Sequence, residues 1–81
     1  MDLEDELTAV LKRAFPNSVI KLEPTASGRI GGYLIAEAFK GMAHMERQDM
    51  LWQKLAARLA PPVLDRIVAI LTMTPDEVLD D

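Results

Sequence analysis

The sequence contains no cysteine. Disulfides, thiolate-ligated metal sites and a cysteine nucleophile are therefore excluded. Histidine occurs once, at His44. A zinc or iron site draws on several nitrogen, sulfur or carboxylate ligands, so one imidazole does not make one, and a surface position at a helix start is expected. Aromatic residues are few: Phe15, Tyr33, Phe39 and Trp52. With Tyr33 and Trp52 assigned to the core, no aromatic remains to stack nucleobases. No apolar run approaches the roughly 20 residues of a membrane span. The stretch Met1-Asp2-Leu3-Glu4-Asp5-Glu6 lacks the basic-then-apolar order of a secretion signal, so a cytoplasmic protein without membrane association is expected. No catalytic set is visible either. Ser18 and Ser27 have no base partner by motif, and the paired acids Glu4 and Asp5 fall in a solvated helix turn, so an enzyme is not expected.

What is present is apolar enough to fold. The chain has 81 residues, 49% of them hydrophobic, which places it as one small globular domain over 1–81. A chain of this size buries only about 60% of its unfolded surface, so its core must be efficient or supported by a partner. Met42, Met45, Met50 and Met73 supply adaptable apolar volume. Net charge is −4, but eight acids lie at the two ends, among them Glu4, Asp5, Glu6, Asp76, Glu77, Asp80 and Asp81. All nine basic residues lie between residues 7 and 75, where they exceed the acids by four. A basic middle between acidic ends can accept phosphate or an acidic partner.

The periodicity gives an order of elements. Leu3, Leu7, Val10 and Leu11 form one apolar stripe of a helix over 2–14, capped by Asp2 and closed by Lys12 and Arg13. Phe15 is expected over its end, and Pro16-Asn17 stops it. A strand over 18–23, a turn over 24–28 and a strand over 30–39 make a hairpin, in which Gly31-Gly32 can admit a bulge or a close backbone approach. Residues 43–60 read as the longest helix, with Leu51, Leu55 and Leu59 in one row and Trp52 and Ala56 beside it. Arg47, Lys54 and Arg58 are expected on its exposed side. Pro61-Pro62 ends it, and one helical turn is expected over 63–66. Ile67 to Met73 is nearly all apolar, which fits a strand buried on both faces. Thr74-Pro75-Asp76-Glu77 reads as a capped helix start. The fold class is α+β, with helices on one face of a three-stranded mixed sheet and a short terminal helix.

Two stretches carry a family likeness. The first is Ala36-Glu37-Ala38-Phe39-Lys40-Gly41, followed by Arg47, Trp52 and Leu55; the second is Arg66-Ile67-Val68-Ala69-Ile70-Leu71-Thr72-Met73-Thr74-Pro75-Asp76-Glu77. Their order and spacing resemble the BolA family of small stress and iron-handling proteins. The resemblance implies the αββααβ layout, similar to the type II KH fold. Where the family places an Arg-His-Arg triplet, this chain has Arg47-Gln48-Asp49. The Thr-x-Thr-Pro-x-Glu ending is matched fully. The resemblance further implies a histidine ligand for an iron–sulfur cluster at the position of Arg66, and a Cys or His in the loop between the first two strands. Arg66 is a permanently charged guanidinium, and the 24–30 loop has neither ligand type.

The expectation is a non-enzymatic regulatory or adaptor protein with no cofactor and no metal site, acting in stress or iron physiology. It is expected to meet an acidic protein partner through a basic face of Lys40, Arg47, Lys54, Arg58 and Arg66. The resemblance names a monothiol glutaredoxin as one such partner. Two alternatives stand beside it. One is a nucleic-acid-binding transcriptional regulator using the same face, with weak support from the KH-like spacing Gly28-Arg29-Ile30-Gly31. The other is a cluster shared with the glutaredoxin, using His44 as an irregular ligand. A monomer or weak homodimer is expected.

Overall fold

The computed structural model describes residues 2–79, and Asp80 and Asp81 of the acidic end lie outside them. Helix α1 spans Leu3–Ala14 and is capped as expected, with Asp2 Oδ1 accepting the Asp5 amide proton at 2.9 Å. Phe15 follows the helix and is buried, and Asn17 turns the chain at φ 64°, a left-handed position that asparagine tolerates. Strand β1 (Val19–Pro24) then pairs antiparallel with β2 (Ile30–Ile35), from Val19 opposite Ile35 to Pro24 opposite Ile30. Gly28, at φ +79°, supplies the loop between them. Pro24 fits because β1 lies at the edge of the sheet, where a missing donor is harmless.

The second strand is shorter than expected. Its pairing ends at Ala36, whose amide donates to Met73 O at 2.9 Å. Residues Glu37–Phe39 then form a 3₁₀ turn that swings the Phe39 ring into the core. There it lies 5.1 Å from the Phe15 ring at a 47° tilt, a favourable geometry for two aromatics. Helix α2 covers His44–Ala56 rather than 43–60, and Leu59 is reached through a turn whose amides donate back to Leu55 O. Leu59 is buried even so. The following helical turn, α3, runs Pro61–Leu64, two residues earlier than expected, because Pro61 starts it with a ready-made φ.

Strand β3 (Ile67–Met73) pairs parallel with β2, giving the order β1-β2-β3, and α4 (Pro75–Leu79) follows it. Helices α1 and α2 cover one face. Leu7, Leu11, Leu51 and Leu55 from the helices meet Leu22, Ile30, Leu34 and Ile70 from the sheet. The expectation that β3 is buried on both faces is corrected: Val68 is 56% and Leu71 63% exposed, because no helix covers the opposite face, and Tyr33, expected in the core, lies on that open face between Lys21 and Leu71. Between Ile30–Ile67 and Gly32–Ile70 the β3 strand carries one extra residue, a bulge lying opposite Gly31.

Gly32 shows why the strand needs glycine there. A Cβ on it would overlap the carbonyl of Lys21 and the backbone of Leu22 on the paired strand. At Gly31 the same atom would sit 3.1 Å from Ala69 O, a tight but smaller intrusion. Gly32→Ala is therefore expected to destabilise the fold by about 1–3 kcal/mol, and Gly31→Ala by less. Urea denaturation of both variants checks the order, and equal midpoints would refute it.

Candidate partner-binding site

The exposed basic face expected from the sequence is divided by the fold into separate places. Arg47 leaves it altogether. Its side chain points inward from the first turns of α2 and is 8% exposed. The guanidinium grips the Glu77 carboxylate at both oxygens, with Nη1 to Oε1 at 2.7 Å and Nη2 to Oε2 at 3.0 Å. Nε donates to Met42 O at 2.9 Å, and Nη1 reaches Thr72 O at 3.4 Å. The planar fork of arginine matches a carboxylate in a way that lysine does not. The expected solvated position fails for a physical reason: a half-exposed carboxylate at the start of α4 lies within reach, and the nearby β3 edge offers a further acceptor.

Glu77 in turn holds α4. The Thr74 amide donates to Glu77 Oε1 at 2.8 Å, and the Glu77 amide donates to Thr74 Oγ1 at 3.3 Å. This is the capping box read from Thr74-Pro75-Asp76-Glu77. The Arg47 hydrogen bonds, reinforced by the Thr74 amide, press the Glu77 carboxyl down to about 2. Next to Arg47, Gln48 Nε2 donates to Ile70 O at 2.9 Å and contacts Thr72 Oγ1 at 3.3 Å. Trp52 Nε1 donates to Gln48 Oε1 at 3.2 Å and so fixes the amide's orientation. Arg47 and Gln48 thus cover carbonyls on β3, the sheet edge beside α2, which would otherwise invite another strand.

The other four residues sit elsewhere. Lys40 forms an exposed ion pair with Asp76 at 3.2 Å, a contact worth little in water. Arg66, exposed, donates from Nε and Nη2 to Gly28 O at 3.2 and 3.0 Å, tying the start of β3 to the β1–β2 loop. Its flank is a shallow recess of about 220 Å³ that also includes the acids Asp2 and Glu4. His44 opens α2 as an exposed residue, and among the described residues no group of three His, Asp or Glu side chains could hold a metal ion. Gly28-Arg29-Ile30-Gly31 crosses a hairpin loop into β2, not a junction between helices.

Lys54 and Arg58 are brought together, and with them a third cation that the sequence reading left out. They line a groove of about 600 Å³ between α1 and the end of α2. Arg13 faces them from the last turn of α1, and Glu6 is its one acid. The floor is small and apolar: Ala9, Val10, Ala14 and Ala57. On its own helix Arg13 is a complement to the helix dipole. The spacing Glu6, Ala9, Val10, Arg13 holds the missed signal, since residues three, four and seven apart share a helix face. Among the described residues Arg13, Lys54 and Arg58 form no ion pair. The groove can therefore receive carboxylates or phosphates over an apolar base.

The Arg47–Glu77 pair generates a pH prediction. The folded carboxyl titrates below its ordinary value of 4.5, at about 2. A depressed acid stabilises the fold above the unfolded value, and that contribution is lost as pH falls through the folded one. Wild type is expected to lose stability between about pH 4.5 and 2, and Glu77→Gln to start lower and lose less over that range. Arg47→Lys is expected to lower the melting temperature at pH 7, since an ammonium cannot grip both oxygens. Thermal melts followed by circular dichroism check both; identical pH profiles for wild type and Glu77→Gln would refute the assignment.

No protein-family model matches this sequence, and no curated protein does. Among solved structures, the fold is similar to the crystal structure of a Bol-like protein from Babesia bovis. The superposition has a TM-score of 0.72 at 19% sequence identity and covers 99% of this chain and 93% of that one. The element order, the mixed three-stranded sheet and the helical cover agree with the αββααβ layout. The chain has the BolA-like fold.

Proposed function

We propose that this chain is a non-enzymatic adaptor or regulatory protein that binds an acidic segment of a protein partner in the groove between α1 and α2. The observation that carries the reading is the convergence of Arg13, Lys54 and Arg58, none of them in an ion pair among the described residues, over an apolar floor. Cations without an ion-pair partner at the surface lose little on meeting carboxylates, and the apolar floor adds burial at the centre of the contact. The BolA-like fold supports a role in stress or iron homeostasis and a monothiol glutaredoxin as the partner to try first.

An iron–sulfur cluster held by this chain does not fit its residues. Arg66 stands where the family resemblance implies a ligand, and a guanidinium offers no lone pair. Its donors are also committed to Gly28 O. The partner contact proposed here needs no ligand from this chain.

The test is an NMR titration of the isotope-labelled protein with a monothiol glutaredoxin, and separately with a short DNA duplex. Amide shifts centred on α1 and the end of α2 are expected with the glutaredoxin. The double variant Lys54→Glu/Arg58→Glu is expected to weaken binding at least ~10-fold while leaving the fold intact, since both side chains are exposed. Shifts only with DNA, weakening steeply with salt, would replace the adaptor reading with nucleic-acid binding. Glutaredoxin binding unchanged in the double variant would remove the groove as its site.

A further inference from the structure

The sheet face turned away from α1 and α2 carries cross-strand rows set by the register. Val19, Ile35 and Met73 make the first row, and Lys21, Tyr33 and Leu71 the second. Glu23 and Gly31 make the third, which Val68 completes beside Gly31 at the β3 bulge. Val19, Val68 and Leu71 are among only five large apolar residues that the described chain leaves exposed. Lys21 and Glu23 are exposed as well, and neither forms an ion pair among the described residues.

The second and third rows complement each other. Consider a two-fold axis lying across the strands above the Leu22–Gly32–Ile70 line. It lays the second row of one copy on the third row of another. Lys21 then faces Glu23 of the second copy. The Tyr33 ring lies over Gly31, which has no side chain to obstruct it, and Leu71 meets Val68. Each contact occurs twice by symmetry. An axis running along the strands would instead lay β1 on β3, placing Lys21 and Glu23 against Leu71 and Val68. That arrangement would desolvate both charges without a partner. Charge and shape therefore select one arrangement of one occupant.

We propose that the open face of the sheet is a self-complementary interface, on which a second copy of this chain packs sheet to sheet with its strands reversed. Sheets stacked this way lie about 10 Å apart with their strands within about 30° of alignment. The footprint is small. Three strands at about 4.8 Å and some five residues at about 3.3 Å give roughly 250 Å² on each copy. Stable complexes bury nearer 800 Å² a side, so this dimer is a weak one, populated at high protein concentration. The surface lies on the opposite side of the sheet from the α1–α2 groove, and the proposal stands or falls without it.

The test is sedimentation equilibrium of the whole chain from ~0.02 to ~1 mM, with far-UV circular dichroism as the control for folding. Wild type is expected to move from monomer towards dimer across the range. Lys21→Glu sets glutamate against glutamate twice and is expected to weaken association at least ~10-fold. The exchange Lys21→Glu with Glu23→Lys reverses both partners and is expected to restore it. Leu71→Ser, at an exposed position, is expected to abolish association with no change in folding. A monomeric mass throughout, or association unchanged in Leu71→Ser, would overturn the proposal. So would a double exchange that dimerises no better than Lys21→Glu alone.

Discussion

The bidentate pair between Arg47 and Glu77 is the contact on which the closing half of the fold depends. It joins the first turns of α2 to the first turn of α4 across 30 residues of chain. The same carboxylate caps α4 through the Thr74 amide, and the same guanidinium reaches a β3 carbonyl. A buried arginine fork without its carboxylate would be an uncompensated charge, so the pair constrains both elements at once. Gln48 and Trp52 extend the network along the β3 edge. The Thr-x-Thr-Pro-x-Glu ending thereby gains a structural reading: Thr72 receives Gln48, Thr74 and Glu77 make the cap, and Glu77 anchors Arg47.

This constraint separates structural cations from free ones. Arg47 is consumed by the fold, Lys40 meets Asp76 at the surface, and Arg66 ties down the β1–β2 loop. Lys54, Arg58 and Arg13 share one groove on the helical side and form no ion pair among the described residues. The sheet presents the opposite chemistry. Its covered face is filled by α1 and α2, while its open face carries apolar rows with Lys21 and Glu23 at one margin. A small chain with only two long helices cannot cover both faces of a three-stranded sheet, and the uncovered face is the consequence.

Much of the fold was legible where local chemistry is decisive. Asp2 as a cap, Pro16-Asn17 as a stop and Thr74-Pro75 as a helix start all act within a few residues, and each appears in the structure, whereas α2 ends at Ala56, ahead of Pro61, which starts α3 instead. The strand over Ile67–Met73 was legible from its apolar run, but its exposure was not. An apolar run shows that a segment favours a sheet and does not tell how many faces that sheet has covered. The second strand is four residues shorter than its sequence pattern suggests, because Phe39, at the end of Ala36 to Phe39, turns under to meet Phe15. The candidate site was legible only in part: Lys54 and Arg58 share a helix face in the sequence, and Arg13 joins them from another helix.

By itself the sequence determined the element order, the helix caps at Asp2 and Thr74, the apolar stripe of each long helix and the absence of any thiol chemistry. These follow from spacing, side-chain type and backbone restriction over one or two turns of chain. Only the tertiary structure decided which cations remain free, that one sheet face stays open, and that Gly32 sits where a Cβ would strike the neighbouring strand. Each of those depends on which residues distant in the chain come within a few ångströms. Arg47 and Glu77 show the reason: both are charged surface residues by composition, and only their contact makes them the inner brace of the molecule.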